Sequence, residues 1–215
     1  VPPIKESHDE MDAAWALYEA LLKVWIGEAE LCLVYGFGKS SPGELRTVMS
    51  LQLDPYYHVP LWPDSISLAA LQARAMLDSG VIGERDMAEV VARSRANARA
   101  NPNAQLRGNP GIEQLLAEPT FVSPLRRHDC PPITDGASAM VIASADAAAR
   151  YCKRPAWVRG IDHRMETGII GARDLTRSPS TRIAGEKAGV ARGKVALAEL
   201  HAPVGHQEII LRREL

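Results

Sequence analysis

The chain has 215 residues, is 46% apolar and carries a formal net charge of −1, so it has the length and apolar content for a buried core in one or two domains. A balance so close to neutral gives no electrostatic footprint for nucleic acid or an anionic membrane surface. No apolar run approaches the roughly 18 residues that a membrane span needs, and no basic stretch followed by an apolar core opens the chain, so the expectation is a cytoplasmic protein. The three cysteines, Cys32, Cys130 and Cys152, are an odd number without CxxC spacing and read as reduced thiols, not as a disulfide framework or a zinc site.

The predicted elements begin with a capped helix from Ser7 to Gly27. Ser7 and Glu10 have the S-x-x-E spacing of a capping box, and Trp15, Leu17, Tyr18, Leu21, Leu22 and Trp25 supply an apolar face for the core. Gly27 ends that helix. A short, wholly apolar strand follows at Leu31 to Tyr35, and Gly36, Gly38 and Gly43 then read as a loop; the GxGxxG spacing of a phosphate cradle is not met. Between residues 46 and 125, Pro55, Pro60, Pro63, Pro102, Pro110 and Pro119 break the pattern around two helices, one from Asp64-Ser65 to Gly80 and one from Glu84 to Ala98. From Arg126 an α/β rhythm returns, with strands expected at Ala139 to Ala143, Ala156 to Ile161 and Val195 to Leu200 and helices between them. The chain closes on an apparent helix at Glu208 to Leu215 with no stop signal, and it opens on Val1-Pro2-Pro3 almost directly into a helix. Both ends therefore suggest part of a longer protein.

Four pieces carry a resemblance. Gly36-Phe37-Gly38-Lys39-Ser40-Ser41 is similar to a GFEKMS element, with Gly38 for Glu and Ser40 for Met. Asn101-Pro102-Asn103-Ala104-Gln105 matches an NP..Q element, and Asp129 to Ala137, DCPPITDGA, is close to DCSPISDGA. Glu199-Leu200-His201-Ala202-Pro203-Val204 stands where ELHDCF is found. Together and in this order they resemble the thiolase superfamily, specifically its sterol-carrier-protein-type thiolase or "lipid-transfer protein" branch.

That resemblance implies an α/β thiolase fold: two similar α/β halves, a helical loop domain inserted in the first, and here incompleteness at both ends. Residues 1–45 would belong to the N-terminal half, 46–125 to the loop domain, and 126–215 to the end of the N-terminal half and the start of the C-terminal half. It also implies acyl-CoA substrates, with coenzyme A entering as part of the substrate and no covalently bound cofactor, usually a homodimer, and sometimes a small OB-fold partner protein. The NP.GG, GHP and CxG elements of the family's carboxy-terminal half do not occur.

Three residues are candidates for chemistry. In the family the catalytic cysteine lies at a helix amino terminus, where unpaired amides favour the thiolate; counting back about seventeen residues from Gly27 gives Glu10, and no cysteine precedes Cys32. A carboxylate there would stay ionised, a poor acyl carrier but a proton acceptor; alternatively Glu10 only completes the capping box. His201 matches the histidine of the HDCF element, whose N–H donates to the thioester oxygen, although Ala202, Pro203 and Val204 replace its neighbours. The bland alternative is a histidine that merely satisfies a strand end. His206 is the reserve for acid–base work. Cys130 reads as a small buried hydrophobe.

Three functions follow. The first is an acyl-CoA lyase of lipid or sterol side-chain breakdown that cleaves a carbon–carbon bond by retro-aldol chemistry without a cysteine nucleophile. The second is a true acetyl-CoA C-acyltransferase. The third is a non-catalytic acyl-CoA-binding or lipid-transfer subunit.

Overall fold

A computed structural model describes residues 4–9, 12–190 and 195–215. In chain order its elements are α1 (Ala13–Trp25), β1 (Leu31–Lys39), α2 (Leu45–Leu51), α3 (Ser65–Asp78), α4 (Glu84–Asn97), α5 (Ile112–Leu116), β2 (Thr120–Val122), β3 (Leu125–Arg126), β4 (Asp135–Ala143), α6 (Ala145–Tyr151), α7 (Pro179–Lys187) and α8 (Gly205–Glu214), with four short 3-10 turns. Two compact units emerge, Val1–Gly43 with Ile133–Ile161, and Glu44–Pro132 with Asp162–Leu215.

In the first unit β1 pairs antiparallel with β4, from Leu31 opposite Ala143 to Lys39 opposite Asp135. Side chains alternate across a strand, so Leu31, Leu33, Tyr35 and Phe37 share one face while Cys32, Val34, Gly36 and Gly38 share the other. Helix α1 packs on the sheet, and Val34 is the one residue of β1 that is buried. The opposite row stands in solvent: Leu33 is 68% and Phe37 78% exposed. The end of the ribbon is tied by Asp135, whose carboxylate accepts from Ser41 N (2.9 Å) and Ser41 Oγ (2.5 Å). The Ser41 hydroxyl and amide hold that carboxyl below its usual range.

The glycines expected in a loop at 36 and 38 lie inside β1 instead. A Cβ on Gly36 would stand 2.5 Å from the Cβ of Ala13, well inside any real carbon–carbon contact. Glycine at 36 therefore lets the start of α1 approach the strand closely, the use of glycine that needs no turn.

The second unit is mainly helical. Ala69, Ala70 and Ala73 make a small-residue face on α3, and with Met76 they pack against Met87, Leu125, Cys130, Val204 and Ile210. Burial of Met76 alone is worth roughly 1.5–3 kcal/mol. A satellite cluster joins Ala88 and Val91 of α4 to Leu115 of α5. Asp64 caps α3 by accepting from Ser67 N at 2.7 Å and is also bonded by Arg46. Helix α7 receives its first-turn acceptors from elsewhere: Glu166 Oε1 accepts from Ser180 N (2.9 Å), and Glu214 Oε1 from Ser178 N (3.2 Å).

Several expectations need correction. Helix α1 starts at Ala13, not Ser7, because Asp12 is the cap: its carboxylate accepts from Ala14 N (2.9 Å) and Trp15 N (3.0 Å) with the backbone extended. Ser7 Oγ accepts from Lys23 Nζ at 2.6 Å. Of the predicted apolar face of α1, Leu21 is buried but Trp25 is 58% exposed, since only one side of the helix meets the sheet. The strands expected at Ala156 to Ile161 and Val195 to Leu200 are irregular. A strand exists through its ladder partner, and the sheets of the described residues pair only β1 with β4 and β2 with β3.

Candidate functional site

His201 sits in an irregular segment, exposed, four residues before α8. The residues after it turn inward: Val204, Gly205 and His206 are all buried. Ala202, Pro203 and Gly205 line a cavity of about 190 Å³ together with Asp129, Cys130 and Glu208. Thus the residues that follow His201 form part of the wall of a small cavity of mixed polar and apolar lining.

Asp129, Cys130 and Pro131 of the DCPP motif line the same cavity. Asp129 is 3% exposed; its Oδ2 accepts from Arg126 N at 2.8 Å, while Oδ1 makes no hydrogen bond and lies 3.6 Å from His128 Nε2. His128 Nδ1 is 2.8 Å from Glu118 Oε2. Burial dominates at Asp129 and pushes its carboxyl up from the ordinary range, against the pull of Arg126 and His128. The Cys130 thiol is pushed up to about 11, first by burial and then by the Asp129 charge. A thiol so reluctant to ionise is no nucleophile, in keeping with a small buried hydrophobe.

His206, the expected acid–base reserve, has another role. It is 0% exposed, and its Nε2 lies 3.1 Å from Gln72 Oε1. Gln72 Nε2 donates to Leu175 O at 3.1 Å, which fixes the amide so that its oxygen faces the ring; His206 Nε2 therefore carries the hydrogen and donates. Nδ1 is left bare and buried. Desolvation lowers the ring from 6.5 to about 4. A neutral ring with no open surface touches no substrate here; it joins α8 to α3.

Glu10 lies outside the described residues. What the first unit displays at the mouth of α1 is Asp12, followed by Ala13, Ala14 and Trp15. Asp12 lines a broad groove of about 1,720 Å³ with Ser7, His8, Asp9, Cys32 and Gly36. The mouth thus holds a carboxylate, and the described thiols lie on β1 (Cys32), in the second unit's core (Cys130) and just after α6 (Cys152). Asp12 was missed in the sequence because the S-x-x-E match drew the helix start five residues upstream; Asp-Ala-Ala before an apolar run was the available signal. Among the described residues no group of three or more His, Cys, Asp or Glu is placed to hold a metal ion, and no helix is long and apolar enough to cross a membrane.

The chain has the thiolase fold over part of that fold's length. The chain superposes on the Ltp2-ChsH2(DUF35) aldolase with a TM-score of 0.76 at 20% identity, covering 94% of this chain and 56% of that one. On the monomeric SCP2-thiolase like protein type 1 of Mycobacterium smegmatis the TM-score is 0.68 at 19% identity, covering 97% and 47%. In sequence it is 34% identical over 141 residues to an acetyl-CoA acetyltransferase of Methanothermobacter thermautotrophicus, 63% of this chain and 37% of that protein. No protein-family model matches. The chain spans between about a third and just over half of the length of these proteins. The resemblance to the thiolase superfamily drawn from four motifs thus holds in sequence and in fold.

Proposed function

We propose that the protein acts on acyl-CoA thioesters and cleaves a carbon–carbon bond in a β-hydroxyacyl-CoA by a retro-aldol reaction, with no covalent acyl intermediate. One observation carries this reading: the mouth of α1 offers the carboxylate of Asp12 to the first-turn amides, and no thiol stands in its first turn. A carboxylate already bonded by two amides is a stable anion and a poor acyl carrier. In the reaction a base takes the β-hydroxyl proton, the Cα–Cβ bond breaks, the β-carbon leaves as an aldehyde or ketone, and the electron pair passes to the thioester as an enolate that is then protonated at Cα. Atoms and charge balance without an oxidant. His201, exposed on its loop, is assigned the hydrogen bond to the enolate oxygen, and Glu10 the proton acceptor. Lipid or sterol side chains as substrates, a homodimer and a small OB-fold partner belong to the same proposal. The solved neighbour described as an aldolase supports it.

A second reading, acyl transfer, is favoured by the relative named as an acetyltransferase. The two separate in one experiment. Incubation of the protein with a 3-hydroxyacyl-CoA is expected to release a carbonyl product and a shortened acyl-CoA without free CoA, and His201→Ala is expected to lower kcat by about 10²–10³-fold. A stable acyl adduct on a cysteine after incubation with acetyl-CoA, seen by intact mass, would instead establish acyl transfer, and full cleavage activity in His201→Ala would remove the assigned donor.

A further inference from the structure

Helix α8 begins without a side-chain cap. Its N-cap is Val204, whose side chain has no acceptor, and Gln207 serves only the cap itself, its Oε1 accepting from Val204 N at 3.2 Å. The amides of a first helical turn favour negative charge nearby. Asp129, from a different part of the chain, brings it: the position a Cβ would take on Gly205, the first residue of α8, lies 3.4 Å from Asp129 Oδ1. That oxygen is buried and makes no hydrogen bond, while its twin is committed to Arg126 N. Met87 O at 3.5 Å and Val91 Cγ2 at 3.6 Å from the same point enclose the start of α8 beside it. Behind the carboxylate stands buried His128, which is bonded in turn to the part-exposed Glu118.

We infer that Asp129 is a positioning residue: its free carboxylate oxygen supplies the anion that α8 lacks at its own N-cap, and so holds the 201–204 loop that presents His201. The relevance to catalysis rests on the role proposed for His201; the anchoring of the loop does not. Asp129 touches no substrate in this account, since its unbonded oxygen is closed off from solvent.

The test is hydrogen exchange by mass spectrometry on peptides covering residues 201–210 in the full chain. Asp129→Asn keeps an acceptor for Arg126 N but turns the other position into a neutral donor, and the peptides should exchange about fivefold faster. Adding Val204→Thr, which is isosteric and places a capping oxygen on α8 itself, should bring exchange back to within about twofold of the parent. Val204→Thr alone should change it by less than about twofold, because the charge is already supplied. Normal protection in Asp129→Asn, acceleration that Val204→Thr does not reverse, or a large gain from Val204→Thr alone would each overturn the inference. In the cleavage assay the same pair should lower and restore kcat with KM unchanged. If exchange follows the expected pattern while His201→Ala keeps full activity, the anchor stands and the chemistry assigned to His201 falls.

Discussion

Acidification should weaken this protein in part through one buried ring, His206. Its pKa in the folded chain is about 4 against 6.5 for a free histidine, the cause being desolvation. Between those values the unfolded chain binds a proton that the folded one refuses, so stability is complete above pH 6.5 and declines as pH falls towards 4. At 1.36 kcal/mol per pKa unit the full effect is about 3 kcal/mol, of which about 2.5 is spent by pH 4.5. His206→Gln removes the titration while keeping a side-chain N–H for Gln72. Urea denaturation of both proteins at pH 7.5 and 4.5 isolates the ring: the variant is less stable at pH 7.5 through lost packing, and the gap should narrow or reverse by about 2.5 kcal/mol at pH 4.5. Carboxylates held low in the fold act alike in both proteins. Among them are Glu214, chiefly through Arg177, and Asp64, where bonds from Ser67 and Arg46 outweigh burial; each loses its contribution only as pH falls through its own depressed value. A gap that stays constant to within about 0.5 kcal/mol across this range would refute the buried neutral ring.

Gly36→Ala should cost about 1–3 kcal/mol by thermal denaturation, because the new methyl meets Ala13 Cβ, and Ala13→Gly in the same chain should recover part of the loss. Asp12→Ala should lower stability by about 1 kcal/mol and fray the start of α1 in circular dichroism, having removed both side-chain bonds to its amides. Met87→Ala empties a site that is 1% exposed and should cost about 2–5 kcal/mol in urea; a loss below 1 kcal/mol would show that the core around α3 and α8 can collapse.

Elements whose stability is local were legible in the sequence. Helix α3, read from Asp64-Ser65 to Gly80, and α4, read from Glu84 to Ala98, lie within a residue or two of their observed bounds. Strands were legible only where a partner exists. Ala139 to Ala143 lies within β4, whereas the equally apolar Val195 to Leu200 has no ladder to join among the described strands. Polarity misled at two places of the candidate site. The spacing of Ser7 and Glu10 hid Asp12, and the free histidine at 206 looked available until Gln72, 134 positions away in sequence, was seen to occupy it. A residue's long-range partner has no signature in its neighbours, so the His201 loop could be named from a motif while the Asp129 contact that braces it could not.

The β1–β4 ribbon carries a practical consequence. Its outward row of Leu31, Leu33, Tyr35 and Phe37 forms a greasy stripe on a ribbon that, among the described residues, pairs only two strands, the combination that invites chains to stick to one another as they are concentrated. Purification yield and light scattering should therefore respond to charged replacements at Leu33 or Phe37 far more than to changes anywhere around the histidines.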